Sequence, residues 1–347
     1  MLFDEALSYL LSLGHEVLAI KLGLGNTERL LEALGRPQDS FPKVQVAGTN
    51  GKGSTAVMLE AVCRSAGVRT GLYTSPHLVS VTERVRVDSE EISREEFARL
   101  TGVVREAADG LRDEGALETL PTFFEHLTAI ALLAFREARV HLAILETGLG
   151  GRLDAATAAR AETVAVTPVA LDHQEHLGNT LAEIAAEKAA IIRPGVRAVV
   201  APQPPEALAV ILRRCEECGV KPRVDDCLTK VRGADGAGRL LVDFETPQDT
   251  YLNVRLSLRG RHQATNASVA VQLAETLREQ GFPITRADIV EGLETAEHAG
   301  RLELREGSPS FLFDGAHNVA GAQALRAYLD EFVKGPVTLV FGAMRDK

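Results

Sequence analysis

The sequence predicts an α/β protein built on a doubly wound, mostly parallel sheet. Three observations carry this. Short β-branched and apolar runs alternate with helix-length segments, the pattern of strands joined by crossover helices. Runs such as HLAIL (His141–Leu145) are nearly continuous in apolar residues, as a strand buried on both faces requires. A glycine-rich turn, GTNGKGS at Gly48–Ser54, stands between one such strand and a helix.

Taken in order, MLFDEALSYLLSLG is an amphipathic helix whose acidic start is unlike a signal peptide. KVQVAG (Lys43–Gly48) is a strand and Ser54–Gly67 a helix. Strands follow at Thr70–Thr74, Val140–Thr147, Glu162–Thr167 and Arg197–Pro202. Helices lie around FFEHLTAIALLAFREA, over TLAEIAAEKAAII, and over PPEALAVILRRCEECGV up to Gly219. Residues 223–262 change character, and alternation in YLNVRLSLRG suggests an antiparallel appendage. HQATNASVAVQLAETLREQ returns to helix. Near Ala296–Arg301 the pattern resets into a strand and loop (SFLFDGAHN), a helix (AGAQALRAYLDEFV) and a strand (VTLVFGA). The expected division is a first domain over 1–296 and the opening of a smaller, Rossmann-like α/β domain over 297–347. Two strands and a helix do not bury both faces of a sheet, so this second domain is expected to be truncated.

With 45% hydrophobic and 25% charged residues, the 347-residue chain has the balance of a soluble globular protein. A cytoplasmic monomer is expected. Its formal charge of −10 argues against a nucleic-acid partner, since phosphate contacts need clustered Lys and Arg. Small anions remain compatible, because a metal ion or a ring of backbone amides attracts them locally. No apolar run reaches the roughly 18 residues of a membrane helix. Cys215 and Cys218 form a C-x-x-C with no second pair at finger spacing, so they read as reduced cysteines rather than a zinc site.

The turn Gly48-Thr49-Asn50-Gly51-Lys52-Gly53-Ser54 nearly matches a P-loop, with one spacer fewer. Glycines let successive backbone N–H groups face phosphate oxygens, and the helix start adds partial positive charge. Lys52 would reach the β- and γ-phosphates, and Ser54 would place its hydroxyl on Mg²⁺. A ligand-free glycine turn is the plain alternative. It fits less well, because strand, loop, Lys and Ser are all in order. The loop indicates a nucleotide but not a reaction.

VAGTNGKGST, YTSPHLVSVTERVRV, ETGLGGRLDA, LDHQEHLG, AEKAAIIRPG and FDGAHN, in this order between residues 46 and 318, resemble the motif set of the folylpolyglutamate synthase/dihydrofolate synthase family of the Mur-ligase group. The resemblance implies an ATP-dependent ligase that adds L-glutamate to folate through an acyl phosphate, with two Mg²⁺ ions. It implies Mg²⁺ contacts at Ser54, Ser75, Glu146 and His173, and a CO₂-derived carbamate on Lys188 that helps hold the second ion. It further implies ATP contacts at Asn50, Gly51, Lys52, Gly53, Ser54, Asn266, Arg301 and Asp314, with His317 among the catalytic residues beside Lys52 and Lys188.

Residue chemistry alone weighs these unevenly. Glu146 closes a strand at its carboxyl end, where open α/β sheets place ligand groups. His173 suits Mg²⁺ less well than an oxygen donor, and Lys188 would by spacing lie on a solvated helix face. Asp-Gly in FDGAHN is also a common turn. Thr122-Phe123-Phe124-Glu125 resembles the segment that lines the pteroate pocket in bifunctional members, which implies dihydropteroate as a second acceptor; a helix start with both rings in the core is equally compatible. Arg152, Leu153 and Asp154 are the remaining substrate candidates. Here the family's RLDATN reads RLDAAT, and His298-Ala299 replaces the usual Trp-Pro. Two rival readings stay open: a Mur-type ligase acting on a peptidoglycan precursor, and a nucleotide-binding relative without ligase activity.

Overall fold

The computed structural model describes residues 1–14, 23–224 and 226–343. Asp225 and the last four residues of the expected 297–347 stretch lie outside the described residues. Along the chain the elements are α1 (Phe3–Ser12), α2 (Gly25–Ala33), β1 (Lys43–Ala47), α3 (Lys52–Ser65), β2 (Thr70–Tyr73), β3 (Val85–Val87), β4 (Glu90–Glu91), α4 (Arg94–Asp113), α5 (Phe123–Glu137), β5 (Leu142–Glu146), β6 (Thr163–Val166) and α6 (Gln174–Leu177). They continue with α7 (Leu181–Ala189), β7 (Arg197–Val200), α8 (Pro205–Glu217), β8 (Arg223–Val224), β9 (Leu228–Ala234), β10 (Arg239–Glu245), β11 (Thr250–Arg259), α9 (His262–Glu279), α10 (Arg286–Thr295), β12 (Glu303–Arg305), β13 (Phe311–Phe313) and α11 (Val319–Phe332).

This is the expected α/β class with a large, mostly parallel sheet. By internal contacts the chain forms two compact units, Met1–Gln45 with Val68–Glu162, and Val46–Gly67 with Thr163–Lys347. The division differs from the expected linear one at 296, because the chain leaves and re-enters each unit.

In the first unit the strand order is β4-β3-β2-β5. β2 and β5 are parallel, with Thr70 opposite Leu142, while β3 runs antiparallel to β2 and β4 to β3. α5 is apolar on all sides and buried along nearly its whole length, as a central helix must be. Its start is sealed by a capping box in which Thr122 and Glu125 satisfy each other's backbone N–H. Phe41, Phe97, Leu127 and Phe135 are core residues here, and burial of each large side chain contributes about 1.5–3 kcal/mol.

In the second unit β6, β7 and β8 are parallel neighbours. α9 is the buried central helix, and α3 packs on both α9 and α10. The antiparallel appendage is the three-stranded sheet β11-β10-β9. It begins at Leu228 rather than 223, because Arg223–Val224 pairs with β7 as a parallel strand. β12 and β13 form a two-stranded antiparallel pair, followed by α11. The expected strand VTLVFGA does not form among the described residues. Val337, Leu339, Val340 and Phe341 are exposed there, and an apolar run without a hydrogen-bonding neighbour is not a strand. No described helix is long and apolar enough to cross a membrane, and all four cysteines are free thiols.

Candidate functional site

In the second unit the chain leaves β1 and turns through Gly48 (φ 150°) and Gly51 (φ 87°) into α3. Both glycines are forced by space as well as by backbone angle. A Cβ on Gly48 would overlap Thr167 Oγ1, and one on Gly51 would overlap Asn266 Oδ1. The turn is braced on the loop after β6. The N–H groups of Thr49 and Asn50 donate to the Pro168 carbonyl at 3.0 and 3.2 Å, and Thr49 Oγ1 donates to Ala170 O and accepts from Ala170 N, both at 3.0 Å. The loop then runs into the start of α3, and a helix start carries the partial positive charge that cradles phosphate. Lys52 Nζ is folded back onto Thr49 O at 3.0 Å, within the loop it would serve.

Ser54 is buried, and its hydroxyl meets Gln263 Nε2 and His298 Nδ1, each at 3.3 Å. Asn266, also buried, donates to Gln263 Oε1 at 2.8 Å. The structure therefore brings Gly51, Ser54 and Asn266 together, and adds Gln263 and His298, which sequence reasoning did not single out. Gln263 was visible beside His262 at the helix start. His298 stood out only as a departure from the family pattern.

His173 starts α6 in the left-handed region (φ 48°), with its N–H on Asp172 Oδ1 at 2.8 Å. His317 lies on the same carboxylate, Nε2 to Asp172 Oδ2 being 3.5 Å, and its Nδ1 donates to Gly315 O at 2.8 Å. Asp314 accepts from Leu302 N and Ala316 N, both at 2.9 Å, and so holds its own loop. Arg301 donates to Gly300 O at 3.0 Å and lies against Gly315. His262 sits beside this pair; burial pushes its pKa below the ordinary histidine value, with Asp314 opposing and Arg301 reinforcing the shift. Lys188, on the last turn of α7, is 4% exposed, so the solvated face suggested by spacing alone is not where it lies.

In the first unit Glu146 ends β5 and is 5% exposed, and Ser75 N donates to its Oε2 at 3.1 Å. The Ser75-Pro76 bond is cis. A buried carboxylate is costly unless compensated, and a divalent cation compensates more strongly than an amide. Among the described residues no three His, Cys, Asp or Glu side chains form a metal cage. Mg²⁺ does not need one, since it binds through one or two protein oxygens together with water and phosphate. The Glu146 carboxylate is an oxygen donor of that kind.

Thr122, Phe123, Phe124 and Glu125 sit at the start of α5. The two rings are perpendicular, with centroids 6.0 Å apart, and the Arg84 guanidinium lies 5.5 Å from each. Glu125 is committed to the helix cap and to Thr27 Oγ1 at 3.0 Å. Asp154 accepts the N–H groups of Gly148, Leu149 and Ala156 and shapes the glycine loop after β5. Arg152 and Leu153 are exposed. Thr157, in the RLDAAT sequence, bonds Gly151 O at 2.7 Å and receives Gln45 Nε2 at 2.7 Å.

A phosphate-type loop between a strand and a helix, on a mostly parallel sheet, places the chain among the Mur ligases, and the Mur ligase middle domain model matches residues 46–274. A Bacillus subtilis dihydrofolate synthase/folylpolyglutamate synthase is 36% identical over 333 residues, 94% of this chain and 77% of its own length. The chain belongs to the folylpolyglutamate synthase/dihydrofolate synthase family. A probable bifunctional folylpolyglutamate synthase/dihydropteroate synthase of Haloferax volcanii is 41% identical over all of this chain, which spans only 41% of that protein. A solved folylpolyglutamate synthase–AMPPCP–folate complex superposes with a TM-score of 0.91 at 32% identity, covering 97% of this chain and 82% of that one.

Proposed function

We propose that the protein is an ATP-dependent ligase that joins L-glutamate to a folate carboxylate, with dihydropteroate as a second acceptor acid. The observation that carries the nucleotide part of the reading is the loop Gly48–Ser54, which Asn266 closes over and which runs into α3; the acid and amine partners rest on the family to which the chain belongs. A folylpolyglutamate synthase solved with AMPPCP and folate supports the same pairing of substrates.

A carboxylate is a poor electrophile, since its charge repels nucleophiles and its oxygen leaves badly. The acid's oxygen attacks the γ-phosphorus of ATP and ADP departs, leaving an acyl phosphate. The neutral amine of glutamate then attacks the acyl carbon, phosphate leaves, and the amine's proton is released. Mg²⁺ bound by Ser54, Ser75, Glu146 and His173 would neutralise phosphate charge. Lys52 and the amides of Gly51 and Gly53 bind the phosphates, and Asn50 shapes the turn beside them, its own N–H being held by Pro168 O. Asn266, Arg301 and Asp314 contact the rest of the nucleotide, and His317 faces the reacting groups. A carbamate on Lys188 would add an anion to the second ion's site. Thr122, Phe123, Phe124, Arg152, Leu153 and Asp154 orient the acid, in part by ring stacking on Phe124, with Glu125 acting through the helix cap. Residues up to about 296 form the ATP-binding domain in this reading, and those from about 297 belong to a C-terminal ligase domain.

The test is ADP release with Mg²⁺, L-glutamate and either tetrahydrofolate or dihydropteroate, with a UDP-muramyl acceptor as control. Lys52→Ala should lower turnover by about 10²–10³-fold through loss of charge stabilisation, with an unchanged far-UV CD spectrum. ATP binding without glutamate-dependent ADP release would favour a non-catalytic relative, and turnover only with the UDP-muramyl acid would favour a peptidoglycan-type ligase.

A further inference from the structure

Three loops distant in sequence meet at one side-chain amide. Asn318 caps α11, its Oδ1 accepting Gly321 N–H at 2.8 Å. Its Nδ2 donates to Asn50 Oδ1 at 3.0 Å and to Asp172 Oδ2 at 2.9 Å. An amide nitrogen carries two hydrogens, and both are therefore committed. Asn50 belongs to the Gly48–Ser54 loop. Asp172 holds the His173 backbone N–H on one oxygen and lies 3.5 Å from His317 Nε2 on the other.

A helix N-cap needs only an acceptor oxygen, which Ser, Thr or Asp supplies as well as Asn. The NH₂ half has no part in the cap, and it is this half that reaches across to the loops after β1 and β6. These loops leave the carboxyl ends of parallel strands, where such sheets hold their ligands.

We propose that Asn318 is a positioning residue for the nucleotide. It fixes the Asn50 side chain in the phosphate loop and the Asp172 carboxylate that orients His173 and His317. The inference rests on the nucleotide reading of the Gly48–Ser54 loop. Loss of the two donors removes the partner of Asn50 Oδ1 and loosens Asp172, whereas a carboxylate at 318 would in addition face Asp172 with like charge.

The experiment compares Asn318→Ser, Asn318→Asp, Asp172→Asn and the double variant N318D/D172N by calorimetric titration with AMPPCP and Mg²⁺, alongside thermal melts. Asn318→Ser keeps a cap and drops both donors. Its AMPPCP Kd should rise about tenfold, the equivalent of one to two ordinary hydrogen bonds, with Tm close to wild type. Asn318→Asp should lose more. The double variant exchanges amide and carboxylate, so the amide at 172 donates to the acid at 318, and it should recover most of the affinity that Asn318→Asp loses. A purely structural cap predicts no such recovery. Wild-type affinity in both single variants at 318, or a double variant no better than Asn318→Asp, would overturn the proposal while leaving the nucleotide reading intact. Failure of the wild-type protein to bind AMPPCP would remove that reading and this inference with it.

Discussion

Gly51 and Asn266 approach so closely that a methyl group on the glycine would overlap the Asn266 side-chain oxygen. Gly51 also holds φ 87°, a left-handed angle that costs an L-residue about 1–2 kcal/mol. Gly51→Ala therefore meets backbone strain and a displaced, buried Asn266 at once. We expect AMPPCP affinity to fall by at least about tenfold, with Tm lowered by a few degrees. Isothermal titration and a thermal melt read both, and an alanine variant that binds as tightly as wild type would mean that this loop does not seat the nucleotide.

Arg84 is 1% exposed, with Nε donating to His77 Nδ1 at 2.8 Å and its guanidinium against Phe123 and Phe124. The planar cation both fills space between the rings and ties the loop after β2 to the start of α5. Lysine reproduces the charge but not the flat stacking surface. Arg84→Lys should therefore destabilise the first unit by about 1–3 kcal/mol, and Arg84→Ala by more, because it also leaves a cavity. Chemical denaturation monitored by circular dichroism measures this. Equal stability of the lysine variant would show that charge alone holds the loop.

Glu83 organises the same loop through its carboxylate. It accepts the N–H groups of Leu78, Val79 and Ser80 at 2.7, 2.7 and 2.6 Å, while Val79 projects outward at 92% exposure. Burial acts to raise the Glu83 pKa, but the three backbone donors and His77 together outweigh it and hold the carboxyl below the ordinary value. A carboxyl with a depressed native pKa stabilises the fold above its unfolded value, about 4.3, and that contribution is lost as pH falls through the native value. Acidification through that depressed native value, beneath the unfolded one of about 4.3, should thus release the loop. Amide exchange at residues 78–80 should accelerate there in wild type and already be fast at neutral pH in Glu83→Gln. Protected amides in the glutamine variant would assign the loop's order to other contacts.

The parts of the fold that local pattern could reveal are those set by burial. KVQVA, TGLY and LAILE are buried on both faces, which the apolar run of LAILE records directly, while KVQVA and TGLY carry Lys43, Gln45 and Thr70 inside as buried polar residues. VTLVFGA carries the same composition without forming a strand, since composition records hydrophobicity and not the presence of a neighbouring ladder. α10 is hard to read because only Ile289, Gly292 and Leu293 are buried along it, whereas α4 carries a plain helical period, with Phe97, Leu100, Thr101, Val104 and Ala108 buried. In the site, Lys52 and Ser54 were legible because strand, loop and helix follow one another. Asp172 and Asn318 sit beside His173 and His317 within the same motifs, yet they were passed over. Their contacts join residues 50, 172 and 318, and no spacing along the chain encodes a meeting across such distances. Arg84 lies inside the motif YTSPHLVSVTERVRV, and nothing in that string shows that Phe123 and Phe124 fold against it.

Lys188 offers the most direct chemical test of the second ion's site. Lys188 is buried on the last turn of α7 rather than held out in bulk water. A neutral amine can attack CO₂, forming an N–C bond, losing one proton and turning a CO₂ oxygen into a carboxylate oxygen. The product is an anion where a cation stood, suited to a divalent metal rather than to a hydrophobic helix turn. Native mass spectrometry in bicarbonate buffer should therefore find the protein heavier by one CO₂, and brief acidification should remove the increment. Enzyme depleted of CO₂ should lose glutamate-dependent ADP release and regain it when bicarbonate is restored, and Lys188→Met should be inactive and indifferent to bicarbonate. An active methionine variant, or a wild-type enzyme whose turnover ignores bicarbonate, would leave Lys188 as a buried helix residue with no part in holding metal.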